Sequence, residues 1–307
     1  MKLGIKPTVD IVFKKLLGSE EHIGLTLSFL NAVLERAGRP KAASLAILNP
    51  FRPGEFRGDK DCVLDIRARD QEGREFQIEV QVKTNAALTR RMLHYWATCY
   101  LSQLPKGREY LDHSPVISVW LIEEPLFRDG AFFHAFQPID PATRRLLSED
   151  FLVITLELSA WEETFGIAPA TSTQTASLEG SLENWLYFFS KGEDLDPDDP
   201  GPNVRGAEFQ EAMEIMRTFT KSEAARYAYF KRLDYQRDRM SSEREEREKG
   251  LAEGLIRGRA EGKAEGIAEG EQAKALETAR RLKARGLAIE IIAESTGLSR
   301  DEVETLG

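Results

Sequence analysis

The chain has 307 residues, of which 41% are hydrophobic and 30% are charged, and its formal net charge at pH 7 is -9. This length allows one substantial domain with an appendage or two modest domains, and no run of about 18 to 20 apolar residues provides a membrane helix. Because the N-terminal stretch MKLGIKPTVDIVFKK carries charges where a signal peptide is apolar, we expect a cytoplasmic protein that does not span a membrane.

Hydrophobic periodicity predicts alternating helices and strands in the first part of the chain. The strand at 75–82 alternates apolar and polar side chains, which predicts that one of its faces is buried and the other is exposed. The element order is α-β-β-β-α-β, so we expect an α/β fold in which a helix crosses between the last two strands of a mixed sheet. Helices are predicted at 8–18, 24–38 and 89–104, and strands at 44–48, 62–69, 75–82 and 115–122.

The later part of the chain becomes predominantly helical. Residues 131–165 are expected to elaborate the sheet with at least one strand, and 181–192 form an amphipathic helix rich in aromatic residues. The acidic segment that follows contains prolines that stop a helix and indicate a boundary. We therefore predict an α/β domain at 1–192, a linker at 193–204, a helical region at 205–272 and a C-terminal helical hairpin at 273–307.

Six glycines recur at every fourth position from Gly250 to Gly270 within this helical region. Each glycine in a helix costs up to about 1 kcal/mol relative to alanine, so six cost on the order of 5 to 6 kcal/mol. The segment is therefore either a surface for self-association or a frayed, partly disordered arm, and neither is catalytic. The hairpin after it has a capping box at Ser299 and Glu302 and resembles a helix-turn-helix, but its acidic last helix favours packing over DNA reading.

The hairpin formed by the two alternating strands carries a pair of carboxylates. A three-residue loop at 71–73 pairs Asp70 with Arg74, and the same register pairs Asp65 with Glu79, with Cβ atoms about 4.5 to 5.5 Å apart. Two facing carboxylates repel each other, and a divalent cation between them removes that repulsion. Mg²⁺, with Mn²⁺ as the alternative, takes such oxygen ligands and activates water for the hydrolysis of DNA or RNA.

Other polar side chains near this pair are candidates for contacts with substrate. Gln81 lies on the same strand face as Glu79 and is expected to orient the attacking water, and Lys83 is expected to reach a phosphate. Arg90 and Arg91 begin the following helix and are also candidate phosphate ligands. The alternative is that this face is simply solvated, as the polar faces of many hairpins are. The net charge does not exclude DNA, because the acidity lies in the later segments of the chain.

Segments spread over nearly the whole chain carry a family resemblance. They read DIVFKKLLG, FLNAVL, VLDIRARDQEGREFQIEVQ, RRMLHYWATCYLSQLPKGREY, LENWLYFFSKGED, the glycine-every-four arm and IAESTGLSRDEVETL. In this order they resemble the recombination-promoting nucleases, also known as putative transposases, of the PD-(D/E)XK nuclease superfamily. The resemblance implies a metal-dependent DNA endonuclease core with the αβββαβ arrangement, associated with bacterial recombination and mobile DNA.

The resemblance also implies roles for individual residues. Asp65 and Glu79 take the positions of the two acidic, metal-binding motif residues. Gln81 takes the position of the superfamily's lysine, in a Glu-x-Gln variant common in this family, and Lys83 is a candidate substitute for the missing charge. Asp10, from the family's Asp-x-x-Phe-Lys opening, is a candidate auxiliary acid on the first helix.

The sequence thus predicts a Mg²⁺-dependent DNA endonuclease that forms a homo-oligomer, such as a dimer, through its C-terminal arm. Two alternatives remain open. In the first, the nuclease fold is inactive and serves as a DNA-binding or regulatory module. In the second, the protein is an oligomerisation or interaction protein that acts through its C-terminal helices, with the sheet domain as a scaffold.

Overall fold

The computed structural model describes residues 2–49, 66–104, 109–166 and 181–306, where helices and strands alternate before the chain becomes fully helical. The strands are β1 (Leu45–Ile47), β2 (Ile66–Asp70), β3 (Glu75–Gln81), β4 (Val116–Ile122), β5 (Phe133–Phe136) and β6 (Phe151–Glu157). The helices are α1 (Asp10–Leu17), α2 (Ile23–Arg36), α3 (Leu88–Ser102), α4 (Leu158–Phe165), α5 (Ser181–Lys191), α6 (Ala207–Lys221), α7 (Glu223–Ala284), α8 (Ile289–Thr296) and α9 (Arg300–Thr305).

The strands form a six-stranded mixed sheet in the order β1-β2-β3-β4-β6-β5. Antiparallel pairing joins β1 to β2 and β2 to β3, whereas β4 is parallel to both β3 and β6. Helix α3 crosses between β3 and β4, as a parallel pair requires. The predicted α/β class and the α-β-β-β-α-β order are therefore confirmed. The edge strand β5, antiparallel to β6, is an addition that the sequence pattern did not reveal.

One face of the sheet carries the main apolar core. Alternate side chains of the central strands, including Phe76 and Ile78 of β3, pack there against α1, α2, α5 and α6. Phe13 of α1, Phe29 of α2 and Phe189 of α5 meet in this core, and the ring centroids of Phe29 and Phe189 are 5.3 Å apart. Apolar residues at helical spacing give each of these helices one buried side, which is why the predicted helices form this layer.

Helix α3 covers the opposite face of the sheet. Its Leu88 and Met92 pack against Trp120 of β4, so the second face is also removed from water. On β3 the polar side chains Glu75 and Glu79 of that face are buried as well, 2% and 5% exposed, whereas Gln81 at the end of the strand is partly exposed. The prediction of a half-buried strand with an exposed polar face is wrong, because β3 is an internal strand and the crossover helix shields its polar side.

The chain divides into two compact units, Met1–Asp234 and Tyr235–Gly307. This division lies further along the chain than the segment 193–204, which the sequence suggests as a linker. Leu195 and Val204 of that segment are buried in the core of the first unit, and the Leu195 carbonyl accepts a hydrogen bond from the Leu3 amide at 3.0 Å. Its prolines do stop helix α5, but its apolar residues pack on the sheet domain. The four-part division proposed from the sequence stays a prediction.

The second unit is built around the distal part of α7, which is helical through all six glycines. Helices α8 and α9 pack on the end of α7 through the buried residues Ala279, Ile292 and Val303. The predicted capping box is confirmed, because the Glu302 amide donates to the Ser299 hydroxyl at 3.3 Å and the Ser299 amide donates to the Glu302 carboxylate at 2.8 Å. None of the helices described here combines the length and apolar character needed to cross a bilayer.

Candidate active site

The β2–β3 hairpin has the register expected from its loop. Ile66 pairs with Ile78 and Arg67 pairs with Gln77, while Gly73 adopts a φ of 87° in the loop. Only glycine takes this left-handed conformation without steric cost, so the loop is closed by the residue the sequence provides. Asp65, which precedes β2, lies outside the described residues, and its pairing with Glu79 therefore stays a prediction.

Glu79 lies on β3, two residues before the C-terminal end of the strand, with its side chain on the face covered by α3. In the parallel register its neighbour on β4 is Trp120, which is fully buried. A carboxylate that is only 5% exposed must be compensated by hydrogen bonds or by a cation, because burial disfavours its charge. This location is different from a solvated surface.

The Gln81 side chain connects β3 to helix α3. Its Oε1 accepts a hydrogen bond from Nη2 of Arg91, and its Nε2 donates to the Lys83 carbonyl oxygen at 2.5 Å. The guanidinium group of Arg91 also lies over the rings of Tyr95 and Trp120, 5.8 and 5.5 Å from their centroids. Of the basic residues predicted to contact phosphate, Arg91 is thus the one held directly against the strand that carries Glu79.

The other two predicted phosphate contacts have different surroundings. Lys83 forms an ion pair with Glu124, and the second carboxylate oxygen of Glu124 accepts from the Thr84 amide at 3.2 Å. The Arg90 side chain is exposed on α3. Both residues lie near the C-terminal end of β3 in sequence, but Lys83 is already engaged by a carboxylate of the loop after β4.

Asp10, the candidate auxiliary acid, is buried at the first position of α1 and 8% exposed. Its Oδ2 forms an ion pair with Nη2 of Arg232 at 2.6 Å. The residue two positions earlier, Thr8, donates a hydrogen bond to Glu123, whose amide donates to the Gln81 carbonyl oxygen at 2.9 Å. The segment that precedes α1 is therefore hydrogen-bonded to the residue after β4, and that residue is hydrogen-bonded to the end of β3. The Asp10 carboxylate is paired with an arginine near the start of α7.

A family model of PD-(D/E)XK nuclease family transposases matches residues 7–246 of the chain. The chain belongs to this family. The match includes the whole sheet and helices α1 to α6, and it confirms the resemblance derived from the sequence segments. The family implies a nuclease fold that acts on DNA. The six glycines from Gly250 to Gly270 and helices α8 and α9 lie outside the matched residues. Comparison with curated proteins and with solved structures gives no match.

The metal expected of a PD-(D/E)XK nuclease can be tested against the residues present. Within the ranges that the structure describes, no three His, Cys, Asp or Glu side chains come together as a metal-binding group. Glu79 offers one buried carboxylate, and oxygen ligands of this type suit Mg²⁺. Its expected partner Asp65 lies outside those ranges, so the fit rests on Glu79 and on the hairpin register.

A second polar cluster lies on β5 and β6, and no sequence pattern indicated it. Glu157, at the end of β6, is 1% exposed and accepts from the Leu126 amide at 2.7 Å. His134 lies between two acids, with Nε2 3.0 Å from an Asp129 oxygen and Nδ1 3.7 Å from a Glu157 oxygen. The hydrogen bond with His134 lowers the pKa of the exposed Asp129 carboxyl below its usual value.

Three residues that shape the candidate site were missed by the sequence analysis: Thr8, Glu123 and Arg232. Thr8 and Glu123 follow no periodic pattern that would indicate their contact, because they meet only when α1 is placed against the end of β4. Arg232 lies more than two hundred residues from Asp10 in the chain, and the proline-rich segment between them suggested separate domains. Apolar residues at helical spacing in α6, such as Phe209, Met213 and Met216, are a sequence signal that this helix packs on the sheet domain.

Proposed function

We propose that this PD-(D/E)XK nuclease family transposase is a metal-dependent DNA endonuclease that hydrolyses phosphodiester bonds during recombination or movement of mobile DNA. The observation that carries the proposal is the buried carboxylate of Glu79 on an internal strand of a nuclease-family sheet. The observed hairpin register supports the pairing of Asp65 with Glu79, because the pairs Ile66–Ile78 and Arg67–Gln77 lead directly to it.

Asp65 and Glu79 are the proposed metal ligands, with Mg²⁺ as the expected ion and Mn²⁺ as the alternative. When bound, such an ion polarises the phosphodiester and lowers the pKa of a coordinated water. The protein contributes a water-poor setting, because α3 and Trp120 cover this face of the sheet. A low local dielectric strengthens each electrostatic contact made there.

The remaining site residues have proposed roles in holding DNA. Arg91 lies on α3 in contact with Gln81 at the end of β3, and the exposed Arg90 precedes it on the same helix; both are proposed to contact phosphate. Lys83 is a weaker phosphate contact, since it must first leave Glu124. Asp10 acts as an auxiliary acid only if Arg232 is displaced or if the pair acts as a unit.

We also propose that α7 mediates homo-oligomerisation of the protein in the cytoplasm. A Cβ atom added at any of the six glycines from Gly250 to Gly270 meets no other described atom within 4 Å. Contacts within the described chain therefore do not explain why these positions are glycine. A second helix packed closely against α7 does explain it, because glycine lets two helix backbones approach each other. A dimer brings two active sites to one DNA duplex.

The proposal is tested with supercoiled plasmid and the full-length protein in Mg²⁺, in Ca²⁺ and in EDTA. Wild-type protein is expected to nick or linearise the plasmid only when Mg²⁺ or Mn²⁺ is present. Asp65→Asn and Glu79→Gln keep the side-chain shape but remove the charge, and each is expected to lower the cleavage rate by at least about a hundredfold, the scale of losing a key electrostatic group.

A matched control is available on the same hairpin. Glu72 is an exposed acid in the loop at the other end of β2 and β3, so Glu72→Gln removes one negative charge without touching the proposed site. This variant is expected to cleave like the wild type. Equal cleavage by Glu79→Gln and wild type, with circular dichroism showing that both are folded, would contradict the proposed function.

A further inference from the structure

The Gln81 amide is fixed at both of its polar ends. Its oxygen accepts from Arg91 and its nitrogen donates to the Lys83 carbonyl oxygen at 2.5 Å, so the group cannot flip without breaking two hydrogen bonds. An amide held in this way presents a fixed acceptor to the guanidinium group. Gln81 therefore determines where one nitrogen of Arg91 lies.

Aromatic side chains fix the rest of the Arg91 guanidinium group. Its carbon lies 5.5 Å from the centroid of Trp120 and 5.8 Å from that of Tyr95. The indole of Trp120 is itself held, because its Nε1 donates to the Ser118 hydroxyl at 2.8 Å. Stacking of this kind restricts a long side chain before any ligand arrives, which lowers the entropic cost of forming a further contact.

The charge of Arg91 is not matched by an acid in the part of the chain that the structure describes. The ion pairs found there engage Lys83 with Glu124, and Arg232 with Asp10, but none involves Arg91. Its Nε–H is moreover buried and has no hydrogen-bond partner among the described residues. A buried donor without an acceptor is unfavourable, and a guanidinium group whose charge no described acid matches is suited to bind an anion.

The position of Arg91 indicates which anion it binds. Glu79 and Gln81 are two residues apart on one strand, so their side chains share a face and lie about 7 Å apart. A guanidinium group bonded to Gln81 is thus beside the carboxylate proposed to hold the metal. We propose that Arg91 is a catalytic cation that contacts the scissile phosphate, and that Gln81 is the positioning residue that holds it.

This inference rests on the proposed nuclease function and changes the role expected for Gln81. The sequence assigned Gln81 to the attacking water and offered Lys83 as the substitute for the missing motif lysine, but Lys83 is paired with Glu124. Arg91 provides a positive charge at the side chain of Gln81 and donates hydrogen bonds to the non-bridging phosphate oxygens as negative charge develops on them. Arginine stays protonated throughout, so it stabilises charge without transferring a proton.

The test uses single-turnover cleavage of plasmid in Mg²⁺ by the full chain. Arg91→Gln is expected to lower the rate on the order of 10² to 10³-fold, the usual loss when one donor to a developing negative charge is removed. Arg91→Gln combined with Gln81→Lys is expected to recover at least about tenfold over Arg91→Gln alone, because the lysine returns a cation to the same place. Arg145→Gln, which removes an exposed arginine elsewhere in the first unit, is the control expected to leave the rate unchanged.

A second measurement separates this inference from the nuclease proposal. Binding of a short DNA duplex in Ca²⁺ over a range of salt concentrations reports phosphate contacts without cleavage. The logarithm of the association constant falls linearly with the logarithm of the salt concentration, and Arg91→Gln is expected to reduce the magnitude of this slope by about 0.9. No cleavage by the wild type in Mg²⁺ or Mn²⁺ contradicts the nuclease function, and in that case the salt slope still tests the phosphate contact. Cleavage by Arg91→Gln within about threefold of wild type, or an unchanged slope, overturns the role of Arg91.

Discussion

The C-terminal limit of the sheet domain can be tested by truncation. The sequence suggests that the domain ends before residue 193, whereas the structure divides the chain after Asp234. Helix α6 and the start of α7 contribute buried side chains to the main core, and Lys6 donates its amide to the Tyr229 hydroxyl at 3.1 Å. A fragment ending at residue 204 loses all of these contacts, and a fragment ending at residue 234 keeps them.

The cost of the shorter truncation follows from the side chains that it removes. Phe209, Met213, Met216 and Tyr229 are each 3% exposed or less. Burial of a side chain of this size stabilises a protein by about 1.5 to 3 kcal/mol, so the four together contribute at most about 6 to 12 kcal/mol. That equals most of the total stability of about 5 to 15 kcal/mol that is usual for a domain. We therefore expect fragment 1–204 not to fold and fragment 1–234 to fold.

Tryptophan fluorescence during urea unfolding is the assay, because all four tryptophans of the chain lie in the first unit. Fragment 1–234 is expected to show a cooperative transition with a midpoint close to that of the first unit in the full-length protein. Fragment 1–204 is expected to show no such transition at any urea concentration. A cooperative transition of fragment 1–204 with an unchanged midpoint would refute the argument that α6 and early α7 complete the core.

Three further predictions concern single interactions. The ion pair of Asp10 with Arg232 is tested by a double-mutant cycle of Asp10→Asn and Arg232→Gln in urea unfolding. The expected coupling energy is about 1.5 to 3 kcal/mol, the range for a hydrogen bond to a charged group. A coupling energy near zero contradicts the ion pair. Replacing Gly258 and Gly262 by alanine is expected to increase helix content by circular dichroism and to weaken self-association by sedimentation, whereas unchanged association argues against the close-packed arm. Hydrogen bonds from Ser299 lower the pKa of Glu302 below its usual value. The ionised carboxylate therefore stabilises the last helix at pH values above the pKa that Glu302 has in the unfolded chain, and this stability is lost as the pH falls through the lower pKa of the folded state. Ser299→Ala is expected to raise this pKa back toward its usual value in an NMR titration, and an unchanged pKa contradicts the capping box.

The core fold could be predicted from sequence because its elements have strong periodic patterns. The hairpin register followed from a single glycine, since Gly73 in the left-handed region fixes the loop and the loop fixes every pair along β2 and β3. Strand β5 has no such signal, because it is short and lies at an edge. The burial of Glu79 was not predicted either, because the alternation of β3 also fits a solvated face and does not show that the crossover helix α3 packs over these side chains.

Individual residues of the candidate site could be selected from the sequence, but the contacts between them could not be predicted. Glu79 and Gln81 could be selected because they occur two residues apart on one strand, a local pattern. The contacts of Gln81 with Arg91 and of Asp10 with Arg232 depend on how separate elements pack, and no local spacing encodes them. Lys83 was selected for its place on the strand, but a carboxylate of the neighbouring loop engages it.

Glu79, together with Asp65, is proposed to hold a metal for the cleavage of DNA. The most direct measurement is the cleavage rate of supercoiled plasmid as Mg²⁺ is titrated, for wild type, Asp65→Asn and Glu79→Gln at matched concentrations of folded protein. We expect the wild-type rate to rise from zero in EDTA to a plateau with Mg²⁺, and neither variant to reach about a hundredth of that plateau, because loss of a metal-site charge lowers the rate by about 10². A wild-type preparation that leaves plasmid intact at every Mg²⁺ and Mn²⁺ concentration, or variants that cleave as fast as the wild type, would contradict it.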